Sequence, residues 1–312
     1  GNLRRSAEWP SPNYVQYASD FPYLLLATTQ VLATHRKHNS SRIGKMATMK
    51  PSEHQVAGHM NGDKAATLED DQGRFFKPLQ NGPRGAREYE FYELVKKKAE
   101  GNDAVSMALR DFMPKYFGST DIEGTKHIIV ENLNHSYEKP SLMDLKIGFH
   151  TWYEAEWNSE EWITKRKAKD EKEGLGRLGF KLCGINKWDQ AEGAYHKRER
   201  DYWRSLASYD PVMAEFKAFP SNGSAVSAAD IYGVAIKALE PIEQWFATQE
   251  DYCFYGCSVL LTYEGTAKTA EEAKVSVRLI DFAHSFDSQG KKDENFLGGL
   301  RNVMKMMREV IA

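Results

Sequence analysis

Apolar residues recur at helical spacing in three stretches of this chain. Across 86–98, Tyr89, Tyr92 and Leu94 with Val95 can share one face. Across 228–246, Ile231, Val234, Ala238, Ile242 and Trp245 form a second stripe. From about Phe296 onward, Leu300, Val303, Met307, Val310 and Ile311 form a third. That last stripe reads as core packing, since methionine fills irregular gaps. Short apolar runs bounded by turn residues read as strands at 73–79, 128–130, 179–184, 258–263 and 275–282. Residues 54–59 read as a short strand and turn, and 61–72 as a polar loop. Residues 158–172 read as a charged helix, with Asn158 as the expected cap and Glu161 as its capping-box acid. The polar stretch 190–204 reads as a loop or an exposed helix.

Two sheet regions flanking helices, with a hinge-like Val130-Glu131-Asn132-Leu133 between them, predict a bilobal α+β enzyme. The expected division is an N-lobe over 49–131 and a C-lobe over 132–312. A ligand is expected in the cleft between the lobes. Residues 1–48 are set apart by a moderately apolar run at 21–33 behind a polar, aromatic stretch. Glu8 and Asp20 are unusual for a transit peptide, so the region is expected to be a poorly ordered appendage.

Composition narrows the class. A formal net charge of -2 over 312 residues argues against a general nucleic-acid binder. Three cysteines cannot all pair, and no short spacing joins them to histidines. Reduced thiols in the nucleus or cytoplasm fit that usage. No apolar run reaches the ~18 residues of a membrane span.

Chemistry concentrates around Pro140-Ser141-Leu142-Met143-Asp144-Leu145-Lys146-Ile147-Gly148. In an extended segment, Asp144 and Lys146 face one way while Leu145 and Ile147 face a core. The same pattern would serve a plain surface pair. Lys77, on a strand, is followed by Glu88 on a helix, an arrangement that can hold nucleotide phosphates. Asp281 ends an apolar strand, where a hard carboxylate suits Mg²⁺, or a turn. Ser258 opens another strand and could add an oxygen or merely sit at its edge. Lys165 and Lys169 lie one turn apart on the charged helix, whose many acids also fit a solvated face. Glycine-rich phosphate loops and the H-R-D and D-F-G motifs of protein kinases are absent from the sequence.

Together these blocks resemble the inositol polyphosphate kinase family. Its P-x-x-x-D-x-K-x-G signature is matched at Pro140, Asp144, Lys146 and Gly148. Phe76-Lys77-Pro78-Leu79-Gln80 with Gly85 to Tyr92, then Ser258-Val259-Leu260-Leu261, then Ile280-Asp281-Phe282-Ala283-His284, follow the family's order. The resemblance is closest to compact, plant-type multikinases and implies the bilobal kinase-like fold. It implies that Lys77, steadied by Glu88, contacts ATP phosphates. Glu131 and Leu133 would hold adenine, and Asp144 the ribose. Asp281 would hold Mg²⁺ with Ser258 assisting, and Lys146 would touch both the transferring group and the inositol. Gln80, Arg84, Lys165, Lys169 and His284 would bind the inositol polyphosphate, from a segment over about 154–175 and elsewhere. Asn186 stands where the family often carries a basic residue. A monomeric kinase of inositol tris- and tetrakisphosphates is the expected function. A hexakisphosphate kinase and a catalytically weak scaffold are the alternatives.

Overall fold

A computed structural model describes residues 49–52, 67–155 and 157–312. The expected appendage at 1–48, the strand and turn at 54–59 and much of the polar loop lie outside the described residues.

The first sheet grows from β1 (Lys50–Pro51), β2 (Leu68–Glu69) and β3 (Arg74–Pro78). Helices α1 (Pro83–Glu100) and α2 (Ala104–Phe112) follow, then β4 (Tyr116–Ile122) and β5 (Thr125–Glu131). These five strands pair antiparallel in the order β1-β2-β3-β5-β4. Pro83 opens α1 at a position where a missing N–H costs nothing. The helix buries Glu88, Phe91, Tyr92, Val95 and Ala99. Tyr89 is half-buried and Leu94 exposed, so the stripe is turned from its expected phase. Asp103 caps α2 by accepting from the Ser106 N–H.

The second sheet is built on β6 (Pro140–Ile147). Next come α3 (Glu160–Lys172), α4 (Leu175–Leu178), β7 (Phe180–Asp189) and β8 (Ala194–Lys197). Helices α5 (Arg200–Ser205), α6 (Tyr209–Ala218) and α7 (Ala228–Thr248) precede β9 (Tyr252–Phe254) and β10 (Ser258–Glu264). The chain ends through β11 (Ser276–Ile280), β12 (Ser285–Asp287) and α8 (Glu294–Ile311). The strand order is β11-β10-β6-β7-β8, again antiparallel, with β9 and β12 as a separate ribbon. Helix α3 is capped by Ser159, whose hydroxyl accepts from the Trp162 N–H. Asn158, the expected cap, instead donates to the Tyr153 carbonyl. In α7 the buried stripe runs through Ile231, Ala235, Leu239, Ile242 and Phe246, leaving Val234 and Ala238 outside.

One apolar core runs from α1 through the second sheet to α8. β6 is its central strand, flanked by β10 and β7. Leu145 and Ile147 are fully buried in that core, as the alternation predicted. Its ends are fixed by particular residues. Pro140 takes the first strand position, where the ladder loses little from a missing N–H. Gly148 has φ 116°, and a Cβ there would lie 2.7 Å from Asn295 Nδ2 on α8. Asn295 in turn bonds both the N–H and the carbonyl of His150. Gly299 lets α8 touch this joint: a Cβ there would meet the Gly179 carbonyl at 2.1 Å. The signature's proline and glycine therefore serve to seat the strand, and its charged pair faces elsewhere.

Candidate active site

Register alone gathers the polar face of β6. Ser258 of β10 stands opposite Lys146, and Leu260 opposite Asp144. Ser258 also stands opposite Ile280 of β11, so Asp281 leaves that strand beside it. Directly paired residues share a face of a sheet. Asp144, Lys146 and Ser258 consequently point together, while Leu145, Val259 and Leu279 point into the core. Asp281 takes a left-handed φ of 67°, uncommon outside glycine but tolerated by aspartate.

The first sheet contributes Lys77 from β3. Its ammonium donates to Glu88 Oε1 at 2.7 Å and to Asp281 Oδ1 at 2.6 Å. The expected Lys77–Glu88 pair is thus present, and the same lysine also bridges to the second sheet. Burial disfavours the Lys77 charge, yet Asp281 and Glu88 hold its pKa well above the usual lysine value. Burial likewise opposes the Asp281 charge, but Lys77 and Lys146 keep its carboxyl well below the usual range. Asp144 behaves oppositely: burial, then the nearby Asp281 charge, push it up to about 6.

Two cavities meet at this polar face. The smaller, about 160 Å³, is lined by Phe75, Tyr92, Val130, Leu142, Leu260 and Ile280 together with Glu131 and Leu133. A flat aromatic base fits such apolar walls. Asn132 holds the hinge by donating to Glu69 and accepting from the Asn134 N–H. The larger cavity, about 560 Å³, contains Gln80, Arg84, Lys146, Lys169, Ser258 and His284. Thr67, Lys77, Asp144 and Asp281 line both, so the acid pair and lysine stand at the junction.

The larger cavity is cationic. Arg84 comes from the first turn of α1, where Gly85 lets Gln80 fold back over the helix start. A Cβ at Gly85 would meet the Gln80 carbonyl at 2.0 Å. Helix α3 is held against the cavity by Asp170, which accepts from the Thr151 N–H at 2.6 Å and from its hydroxyl. This fixes which α3 side chains face inward: Arg166 and Lys169 line the cavity with Asp170 and Glu173. Burial lowers the pKa of both basic groups, and Arg84 adds to the effect at Arg166. Lys165 does not join them. It is 75 % exposed and paired to Glu161 at 2.6 Å, one turn back on the outer face.

Among the buried side-chain atoms of the described residues that lack a hydrogen-bond partner are Arg84 Nε, Asp144 Oδ1, Ser258 Oγ and His284 Nε2. All four residues line the larger cavity. Buried polar groups left unpaired inside a protein are costly unless a ligand completes them. Asp281 and Ser258 supply the hard oxygens that a Mg²⁺ carrying nucleotide phosphates accepts, so the donor set fits that ion. His284 is oriented by Tyr153, whose hydroxyl lies 2.9 Å from its Nδ1. Burial, then Arg84 and Arg87, lower its pKa to about 3, so it is neutral at ordinary pH.

Arg166, Lys181 and the Tyr153–His284 pair join the site without having been expected from the sequence. Trp162, Arg166, Lys169, Asp170 and Glu173 share one α3 face at spacings of three and four, but nothing local in the sequence marks that face as the inner one. Lys181 is buried on β7 and pairs with Glu173. Asn186 is buried away from both cavities, so the unusual residue there does not alter their lining.

Two antiparallel-sheet lobes joined at a hinge, with a lysine, a glutamate and an aspartate meeting at the junction, define a kinase-type phosphotransferase. The family model described as "Inositol polyphosphate kinase" matches residues 127–308. The chain is 36 % identical over 282 residues to inositol polyphosphate multikinase alpha of Arabidopsis thaliana, covering 84 % of this chain and 96 % of that one. It is 31 % identical over 247 residues to the Homo sapiens multikinase, covering 77 % and 56 %. This chain belongs to the inositol polyphosphate kinase family. A solved inositol phosphate multikinase superposes with TM-score 0.61 at 33 % identity, over 72 % of this chain and 99 % of that one. The fold is also that of S. cerevisiae Ipk2, solved with ADP and Mn²⁺, at TM-score 0.62 and 23 % identity over 77 % and 99 %.

Proposed function

We propose that this chain is an ATP- and Mg²⁺-dependent inositol polyphosphate multikinase. It would transfer a phosphoryl group to hydroxyls of inositol tris- and tetrakisphosphates. The observation that carries this reading is the junction of two unlike cavities at Lys77, Asp144 and Asp281. One cavity suits a base and the other a dense anion. The multikinase names of the relatives support the same substrate class.

The residues would divide the work as follows. Glu131 and Leu133 border the base, and Asp144 offers its carboxylate to the ribose. Lys77, held by Glu88, neutralises donor phosphate charge. Asp281 and Ser258 would hold Mg²⁺, which supplies charge neutralisation between phosphate oxygens. Lys146 lies on the strand between both sites, and its ammonium is held by the Gly256 carbonyl. Gln80, Arg84, Arg166, Lys169 and His284 would receive the acceptor's phosphates. Transfer of this kind depends on positioning and electrostatics more than on covalent help.

A monomer in the nucleus or cytoplasm, without a nucleic-acid partner, belongs to the same proposal. No helix among the described residues is long and apolar enough to cross a membrane. The reading is tested by incubating the protein with ATP, Mg²⁺ and individual inositol phosphates and following product formation.

A further inference from the structure

The larger cavity extends past α3 to a stretch that the proposed catalytic roles leave unused. Arg198, Arg200 and Arg204, from the end of β8 into α5, line the same cavity as Lys146 and Lys169. This segment is anchored from behind. The Trp203 indole donates to the Arg198 carbonyl at 3.1 Å, and Trp203 itself is buried. Gly174, with φ 78°, allows the end of α3 to press on Ala207, whose carbonyl a Cβ would meet at 2.3 Å. Arg177 donates to that same carbonyl.

The three arginines are not equally committed. Arg204 pairs with Asp201 at 3.1 Å and lies 3.9 Å from Glu173. Arg198 rests over the Tyr202 ring at 5.3 Å, and its guanidinium makes no hydrogen bond or ion pair among the described residues. Arg200 has no hydrogen-bond or ion-pair partner among the described residues. Of the acids that line this end of the cavity, Glu173 holds Lys181 and Asp170 holds Thr151, while Glu199, between the two arginines in the chain, is not part of the lining.

Resting on the kinase reading above, we propose that Arg198 and Arg200 form a distal phosphate subsite. It engages an acceptor phosphate beyond those met by Arg84, Arg166 and Lys169, and so favours tetrakisphosphates over trisphosphates. Arginine suits this role because its planar fork donates two parallel bonds to a phosphate.

The test compares initial-rate kcat/KM for an inositol tetrakisphosphate and an inositol trisphosphate in wild type, R198A/R200A and R198K/R200K. Circular dichroism melting confirms that each variant is folded. The alanine pair should lower the tetrakis-to-tris ratio about tenfold or more, chiefly through the KM for tetrakisphosphate, with KM for ATP unmoved. The lysine pair should recover part of the loss. A ratio within about twofold of wild type would overturn the subsite. Should wild type turn over neither acceptor, the kinase reading fails on its own. Calorimetric binding of tetrakisphosphate then decides the subsite: weaker binding to R198A/R200A supports it, and equal binding overturns it.

Discussion

Lys77 and Asp281, 204 residues apart in the chain, are joined by a 2.6 Å hydrogen bond that closes the two lobes over one acidic and one basic group. Neither partner is free to act alone. Lys77 also holds Glu88, which fixes α1 and with it Arg84 at the mouth of the larger cavity. The smaller and the larger cavity are thereby referenced to the same lysine.

Asp281→Asn keeps the shape of that side chain and removes its charge. The account expects kcat to fall by at least about 10²-fold. Mg²⁺ titration of the residual activity should show a weakened metal dependence, since a neutral amide is a poor ligand for a hard ion. Near-normal turnover with an unchanged Mg²⁺ profile would contradict the metal role.

The α3 face makes a second, separable prediction. Arg166→Ala and Lys169→Ala should each raise KM for the inositol phosphate about tenfold or more, as expected for a lost charge-assisted contact. KM for ATP should stay near the wild-type value. Lys165→Ala should change KM less than about threefold, because its ion pair with Glu161 is exposed. Equal effects at Lys165 and Lys169 would mean that the inward face has been misassigned.

How far the sequence spoke is clearest on this helix. Its existence and charge were plain, but its rotation was not. Lys165 and Lys169 are neighbours on any helix, and only Asp170 tied to Thr151 decides that the inner face runs through Arg166 instead. That contact joins residues from two elements and leaves no local trace. In α7 the apolar residues are too numerous to set a single phase, so Val234 and Ala238 looked inward and are not. By contrast, β6 was fully legible: period-two alternation, an opening proline and a closing glycine fixed its faces and ends. The cluster of Lys77, Asp144, Lys146, Ser258 and Asp281 was legible through family resemblance. Composition and spacing alone left each member with an ordinary structural explanation.

His284 carries a pH signature. Its ordinary value is 6.5, and burial followed by the Arg84 and Arg87 charges lower it to about 3 in the folded protein. Above pH 6.5 both folded and unfolded forms are neutral there, and the group costs nothing. As pH falls from 6.5 toward 3, the unfolded chain takes up the proton first, so stability is lost through that window. The slope from this group is up to about 1.4 kcal/mol per pH unit. His284→Gln should therefore flatten the acid side of the stability curve between pH 6.5 and 4, measured by urea unfolding. An identical slope in wild type and variant would show that His284 is not the neutral group described.

The central claim is that the two cavities joined at Lys77, Asp144 and Asp281 bring a nucleotide and an inositol polyphosphate together for transfer. Wild-type protein with ATP, Mg²⁺ and a panel of inositol phosphates, from tris- to hexakisphosphate, tests it most directly. The account predicts transfer to trisphosphate and tetrakisphosphate, with one ADP released for each phosphate gained. No turnover on any member, or turnover on hexakisphosphate alone, would contradict it.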